Sequence, residues 1–598
     1  MPRSPLLRCL PSLIFLALVV LALGPALRDG ALLSGRYDWR YFESMAEVAR
    51  RSVAWYGQVP LWNPYSCGGE VDLANPQSLD GAPTFLFTLL AGTAWGFKLA
   101  VALYYLLALA GMYQLGRWLG LRVEAALVAA VAFGLSGYLA IHLGAGHINF
   151  ASVALFPYLV YCFDRSLSRV EWILPTGALA AWVALFGGTF TPALAGELLL
   201  LWATGAAWLP RDGHDGDSRP VLRRLARAYG LLLVAALAAL FLGAYRMLPA
   251  LEFIIDHPRP TFRRTPDMTV IFWLLSDLFS WREFGPLPGR KYWSHEYTAR
   301  LPSLIAPLLL LALPAALQPR WRRLTLVLGG LGLVSVLLCL GNFSPLAPWS
   351  ILQKLPVLRD LRVPSRHLIL VVFFAALLAG VGAQLVIEQV ARWRSWAAAA
   401  LGGLLLLAAS VDGVAYTRAQ FEGVFTVLLI PPPAPVPFFH AEGHWSQMRE
   451  LIFQGHGVMR CDEEAPLQRA QALETGDVAQ VRLFDPAAGE IIEHRFSPNR
   501  RTITVELRRP TQLLLNSNWN EHFHLTKPGS GARVVSLNGR LGVELSGLQP
   551  GRHTVEVVYS PRSFAVGLGL STLAWPLAIW LFVRRRRQGL SLEAGAAA

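Results

Sequence analysis

Asp38 stands within Tyr37-Asp38-Trp39-Arg40-Tyr41-Phe42-Glu43, shortly after the first apolar run of the chain. A carboxylate just beyond a membrane helix can serve as a general base towards a hydroxyl that arrives from water. Its blander reading is a solvated loop acid paired with Arg36 or Arg40. Glu70 and Asp72 follow in the same loop as reserve acids, better read as turn residues or ligand contacts. An anionic group would be met by Lys or Arg, Arg in bidentate geometry. Arg263, Arg264, Lys291 and Arg300 fall together in a later loop, and Arg362 and Arg366 precede another apolar run. Interfacial arginines equally contact lipid headgroups or structural acids such as Asp360. His142 and His147 are five apart with no third ligand, a poor zinc spacing, and read at least as well as hydrogen-bonded interfacial histidines. Trp39 and Trp62 could stack on a flat ligand face, although Trp is enriched at membrane interfaces in any case. Asn516-Ser517-Asn518-Trp519 reads as a ligand contact or, equally, as a turn beside a strand.

The elements that must position these residues are set by composition. A chain of 598 residues with 54% apolar and only 15% charged residues has a mean hydropathy of +0.42. Soluble domains carry about 25% charge, so several soluble domains are excluded, and so is disorder. The net charge of +14 comes almost wholly from Arg; Lys occurs only at 98, 291, 354 and 527. The arginines sit between apolar runs, as topology signals rather than as a nucleic-acid stripe.

Spans of about 20 apolar residues are expected near 10–27, 95–115, 123–140, 148–163, 231–248, 301–317, 324–340, 368–386, 396–411 and 564–583. The stretch 172–209 is too long for one span and is broken by Gly187, Gly188 and Pro192. The loop after it holds Arg211, Arg219, Arg223, Arg224 and Arg227, and short Arg-rich loops stay cytoplasmic. Only two spans there keep that loop inside, which gives about 12 transmembrane helices with both termini cytoplasmic. Arg117 and Arg122, Arg165 and Arg169, Arg320 to Arg323, Arg392 and Arg394, and Arg584–Arg587 then share that side.

The opposite side receives the long segments: the loop after the first span, 251–300, 341–367 and 412–563. Alternating runs at 502–506, 512–515, 534–537 and 554–558 predict a small β-rich extracytoplasmic domain. The expected division is 1–412, transmembrane with functional loops; 413–563, β-rich; and 564–598, a last helix and basic tail. Charge is scarce at the span centres, where it is costly; Glu197, two turns into a span, and Arg246 are the exceptions. Cys67 and Cys461 both fall outside, so a disulfide between them is open but the weaker expectation.

Several segments, in order, resemble the YfhO-like bacterial membrane proteins. They are Pro60-Leu61-Trp62-Asn63-Pro64-Tyr65, Gly68-Gly69-Glu70, Ala74-Asn75-Pro76-Gln77, and His147 ahead of Phe156-Pro157. Gly187-Gly188, Glu296-Tyr297, Leu361-Arg362-Val363-Pro364-Ser365-Arg366 and Pro550-Gly551-Arg552-His553 with Tyr559-Ser560-Pro561 continue the series. Each is weak alone; their order and spacing make the resemblance specific, and it covers most of the chain apart from 413–500.

The resemblance implies an α-helical polytopic membrane protein of GT-C-like fold. It further implies a glycosyltransferase that moves a sugar from a polyprenyl-phosphate carrier to a cell-envelope glycan, lipid or polymer on the outer face of the bacterial cytoplasmic membrane. Asp38 would be the catalytic acid or base, and Arg362 and Arg366 the phosphate anchors. Glu70, His147, Arg263, Arg264, Lys291, Glu296 and Tyr297 would be further substrate contacts. Many such enzymes carry paired acids and a metal in the first loop, whereas Asp38 has no adjacent acid; a divalent metal stays open but is not expected, and no other cofactor is called for. Two other classes stay open: a transporter or flippase for lipid-linked glycans, and a non-catalytic envelope assembly factor.

Overall fold

The computed structural model describes residues 5–28, 33–209, 220–257, 271–355, 358, 361–430, 432, 434–443, 447–461, 470 and 472–596. Among them, seven helices are long and apolar enough to cross a membrane, and four shorter apolar helices join them. Each expected span overlaps helical structure, but several are broken, among them 123–140 into Val123–Gly134 and Gly137–Gly144 and 301–317 into Ile305–Ala312 and a 3₁₀ segment, Leu313–Leu317. The stretch expected at 148–163 is broken into a 3₁₀ segment, Ile148–Leu155, and the α-helix Phe156–Ser166. Pro157 explains the break, because a proline has no N–H to give to the turn before it and is tolerated only in a first helical turn. The span expected at 231–248 is instead Val221–Leu242, followed across Gly243 by Ala244–Asp256. Arg223, Arg224 and Arg227 lie on the first turns of that helix, where their long stems can run along it while their charges stay at its end. Arg211 and Arg219 lie outside the described residues.

The helices pack around one continuous core that includes the nearly featureless Val123–Gly134 and Leu368–Ala391, buried on almost all sides. At one end of this bundle the Arg-rich loops meet acids and amides: Arg122 N–H donates to Gln384 Oε1 at 2.7 Å, and Arg320 pairs with Glu388 at 3.1 Å. The long segments gather at the other end. There the helix Ser395–Phe421 runs past residue 412, and Phe425–Leu428 returns antiparallel to Leu33–Gly35 at the start of the first loop.

The β-rich part is a sandwich of two four-stranded sheets. One runs in space Arg533–Leu537, Arg540–Glu544, Gln512–Asn518, Val481–Leu483; the other runs Phe523–Lys527, Gly551–Tyr559, Arg500–Leu507, Gly489–Ser497. Alternate residues point inward, so Ile503, Val505 and Leu507 line up beside Val555, Val557 and Tyr559 and face Leu513, Leu515, Leu541 and Val543 of the other sheet across an apolar interior. Leu61, Trp62, Val71 and Leu73 of the first loop complete that same core. Trp62 is 2% exposed and packs on Phe523 and Tyr559 at 4.9 and 4.8 Å.

Cys67 and Cys461 form a disulfide across 394 residues, so the pairing held open above is made. Asn518 Nδ2 donates to the carbonyls of Cys67 and Gly69 at 2.7 and 2.9 Å beside it. The sandwich is thereby fastened to the first loop by apolar and hydrogen-bonded contacts, and the segment 447–461 ahead of it by the disulfide. Replacing both Cys67 and Cys461 by Ser is expected to cost about 2–4 kcal/mol, read as a lower Tm of the purified protein. A Tm equal to wild type under non-reducing conditions would show that the bridge carries no load.

Candidate active site

Asp38 occupies the N-cap position of the helix Trp39–Tyr56 but makes no side-chain cap bond there. Its carboxylate is free to face elsewhere, and the turn at 144–147 decides where. Asp38 N–H donates to the Ala145 carbonyl at 3.2 Å. Gly146, at φ +96°, lies so close that a Cβ would stand 2.2 Å from Trp39 N and 2.7 Å from the carbonyl carbon of Asp38. That approach delivers His147, whose Nε2 donates to Asp38 Oδ2 at 2.7 Å. The second imidazole nitrogen, Nδ1, is 3.2 Å from Nδ1 of His142, and one of these two must carry a proton.

Two further loops close in from the other side. His295 sets its ring edge-on to His147, centroids 4.6 Å apart. The adjacent Glu296, 6% exposed, is held by both arms of Arg366: Nε donates to Oε2 at 2.7 Å, and Nη2 donates to Oε1. Ser365 Oγ donates to the Glu296 carbonyl, and Tyr138 OH donates to the Arg366 carbonyl. The Arg366 guanidinium lies over Phe150 and Phe190. Segments far apart in sequence thus converge on Asp38.

Burial pushes the Asp38 carboxyl up, but the hydrogen bond and charge of His147 outweigh it and leave the group below its ordinary value. Burial likewise raises Glu296, and the Arg366 charge and double hydrogen bond reverse this, so its carboxyl sits far below the usual range. His295 is pushed down to about 4, by burial first and then by His147. Asp38 and Glu296 are therefore ionised at neutral pH and His295 is neutral.

Asp38 lines a pocket of about 840 Å³, its side chain 46% exposed. Three cations, Arg36, Arg40 and Lys291, share the wall with Tyr37, Phe284, Tyr292 and Trp293. The aromatic rings form a train, Tyr37 to Phe284 at 4.5 Å and Phe284 to Trp293 at 5.1 Å. The loop that supplies Phe284 and Trp293 is pinned by Asp277, which pairs with Arg290 at 3.1 Å and Arg282 at 3.5 Å.

His147, His295 and Glu296 also bring three ligand atoms within 4.8 Å of one another, a donor set suited to an imidazole-favouring divalent ion. Both Glu296 oxygens are already held by Arg366 and His147 Nε2 by Asp38, so an ion would have to displace those contacts.

Of the residues singled out from sequence, the structure gathers Asp38, His147, Lys291, Glu296 and Arg366 around this pocket. Arg366 lies behind the wall, on Glu296. Arg362 shares its segment but does not line the pocket. Tyr297 is buried, its OH accepting from Tyr292 N–H with Arg290 over its ring. Arg263 and Arg264 lie outside the described residues, as does Asp360.

Glu70 and Asp72 are buried beneath the first loop and away from the pocket wall. Burial and the neighbouring Asp80 and Glu70 push the Asp72 carboxyl well up. Arg246 beside it is spent on the carbonyls of Leu73, Asn75, Pro76, Ser78 and Leu185. Trp39 is fully buried against Phe97 and Phe425, and Asn516 and Asn518 staple the sandwich to neighbouring backbone. Glu197 pairs with His367 at 2.7 Å inside the bundle.

Sequence reasoning missed His295 as a site residue and treated Arg36 and Arg40 only as partners of Asp38. The run Ser294-His295-Glu296-Tyr297, with its adjoining imidazole and carboxyl groups, carried the signal for the first.

No protein-family model matches the sequence, and no curated protein matches it. Solved structures do. The fold is similar to arabinofuranosyltransferase AftD from Mycobacteria, at 16% identity and a TM-score of 0.42, over 69% of this chain and 27% of AftD. It is similar also to ArnT from Cupriavidus metallidurans in the apo state, at 16% identity and a TM-score of 0.40, over 75% of this chain and 84% of ArnT. The chain spans about a quarter of the length of AftD.

Two substitutions test the construction of the site. Gly146→Ala is expected to part the 144–147 turn from Asp38 and to cost about 1–3 kcal/mol. A Tm equal to wild type would mean that the turns do not hold each other this closely. Arg366→Met leaves Glu296 buried without its partner and is expected to cost about 3–5 kcal/mol. Adding Glu296→Gln should recover much of that loss; equal loss in the single and double variants would deny the pairing.

Proposed function

We propose that this chain is a membrane glycosyltransferase of the GT-C kind. It transfers a hexosyl or pentosyl unit from a polyprenyl-phosphate carrier to a cell-envelope glycan, lipid or polymer. The observation that carries the reading is an ionised carboxylate, Asp38, steadied by His147 on the wall of a pocket that also holds Arg36, Arg40 and Lys291. That is the pairing which sugar transfer from a phosphate requires: a base for the incoming hydroxyl and cations for the departing oxyanion.

In the proposed reaction the acceptor hydroxyl gives its proton to Asp38 Oδ as its oxygen attacks the anomeric carbon. The bond from that carbon to the phosphate oxygen breaks, and its electron pair leaves with the polyprenyl phosphate. Arg36, Arg40 and Lys291 stabilise the charge left on the phosphate. The train of Tyr37, Phe284 and Trp293 offers apolar faces to a sugar ring. His147 acts one layer back and orients the base, while Glu296, on the wall, fixes with Arg366 the loop that carries Lys291 and His295. Arg362, Tyr297 and Glu70 serve as supports in the same reading.

The positive-inside pattern supports cytoplasmic termini in a bacterial inner membrane, with the pocket and the sandwich on the opposite face. A disulfide at Cys67–Cys461 fits an oxidising compartment there.

The test is mass spectrometry of envelope glycans from a deletion strain complemented with wild type or Asp38→Asn at matched membrane levels. Wild type is expected to restore a missing sugar and Asp38→Asn to fall short by about 10²-fold or more. Full restoration by Asp38→Asn would remove the base and favour a transport or assembly role.

A further inference from the structure

We propose that Arg449, in the part of the chain that the resemblance leaves out, is the positioning residue for Asp38. Arg449 and Glu43 are both 0% exposed and pair at 2.9 Å. The same Arg449 Nη1 donates to the Gly35 carbonyl, while Gly35 N–H donates to the other Glu43 oxygen at 3.0 Å. A closed ring results, running from Gly35 through Glu43 and Arg449 back to Gly35. Gly35 lies three residues before Asp38, and Glu43 lies five residues after it on the helix that Asp38 caps. One guanidinium therefore fixes the backbone on both sides of the carboxylate.

Arg449 is itself anchored. It belongs to the short helix Met448–Phe453, whose end is gripped by the first-loop helix: Arg51 donates to the carbonyls of Ile452 and Phe453 and to Glu47. Glu47 in turn accepts from Thr93 at 2.7 Å. Ile452 and Met448 pack with Val48 and Tyr65. The short helix thus rides on the helix Trp39–Tyr56 as one body, with Arg449 reaching to its N-terminal turn.

A wholly desolvated ion pair adds little net stability over apolar groups of like volume. What it adds is direction, because five hydrogen-bonding atoms must meet in one geometry. The consequence for activity rests on the reading of Asp38 as the base. The placement of residues 35–43 does not.

The experiment is hydrogen exchange by mass spectrometry on the full-length protein in lipid nanodiscs, joined to the complementation assay at matched membrane levels. In Arg449→Met, amides of 35–43 are expected to exchange about tenfold faster, with strand 500–507 unchanged. The envelope modification should fall about tenfold or more. Arg449→Lys, which can keep one of the two contacts, should lie between. The double variant Glu43→Gln with Arg449→Met removes both buried charges and should fold while exchanging as fast at 35–43, which covers the case in which the single variant fails to accumulate. Unchanged exchange at 35–43 would overturn the proposal. So would faster exchange spread equally to 500–507, or full modification from a loosened loop. If Asp38→Asn restores the modification, the catalytic reading falls, and the exchange data still decide whether Arg449 positions the loop.

Discussion

A bundle that crosses a bilayer has almost no room for polar groups along its length, since an ionised residue at the centre costs about 2.5–3.5 kcal/mol or more. That constraint sends the chemistry to the ends of the helices. Val123–Gly134 and Leu368–Ala391 are packed on nearly every side with Ala, Val, Leu and Phe, and they supply rigidity without supplying a functional group. The pocket is accordingly built from loops, and loops need something other than bundle packing to hold them.

Two kinds of contact meet that need. The first is local backbone fit: the 144–147 turn comes so close to Asp38 that only glycine is tolerated at 146. The second is a set of buried arginines that reach across large sequence separations, Arg449 to Gly35 and Glu43, Arg51 to Ile452 and Phe453, Arg246 to five carbonyls, and Arg366 to Glu296. Arg suits this work because its planar fork presents several donors at fixed angles. Outside the spans, the net charge of +14 is therefore only partly a topology signal.

The spans and the sandwich were legible because each rests on a one-dimensional pattern, a run of about 20 apolar residues or an alternation of two. The exceptions follow from features that such patterns average away: a proline inside an apolar run at 157, and a glycine that breaks a helix at 243. Asp38 stood out as a candidate from its place after the first span, and Glu296 and Arg366 from the resemblance that their segments carry. What could not be read was which residue each would face. Glu296 to Arg366 spans 70 residues and Asp38 to His147 spans 109, and no local spacing encodes such pairs. Trp62 shows the same limit from the other direction. A tryptophan in a polar loop reads as a ligand contact until the sandwich closes over it.

The placement of the sandwich bears on why the chain keeps an appended domain at all. Its core is finished by Leu61, Trp62, Val71 and Leu73, the segment ahead of it is tied to the first loop by the Cys67–Cys461 bridge, and the helix Met448–Phe453 carries Arg449 to Gly35. Burying side chains of that size is worth about 1.5–3 kcal/mol each, so sandwich and first loop stabilise one another by more than either could gain alone. A domain whose only task was to bind an acceptor would not need to share its core with the loop that bears Asp38. Sharing it makes the order of that loop depend on a correctly folded sandwich and, through the disulfide, a correctly oxidised segment ahead of it. Residues 413–500, where the resemblance to other proteins is weakest, are in this view the part that links the two.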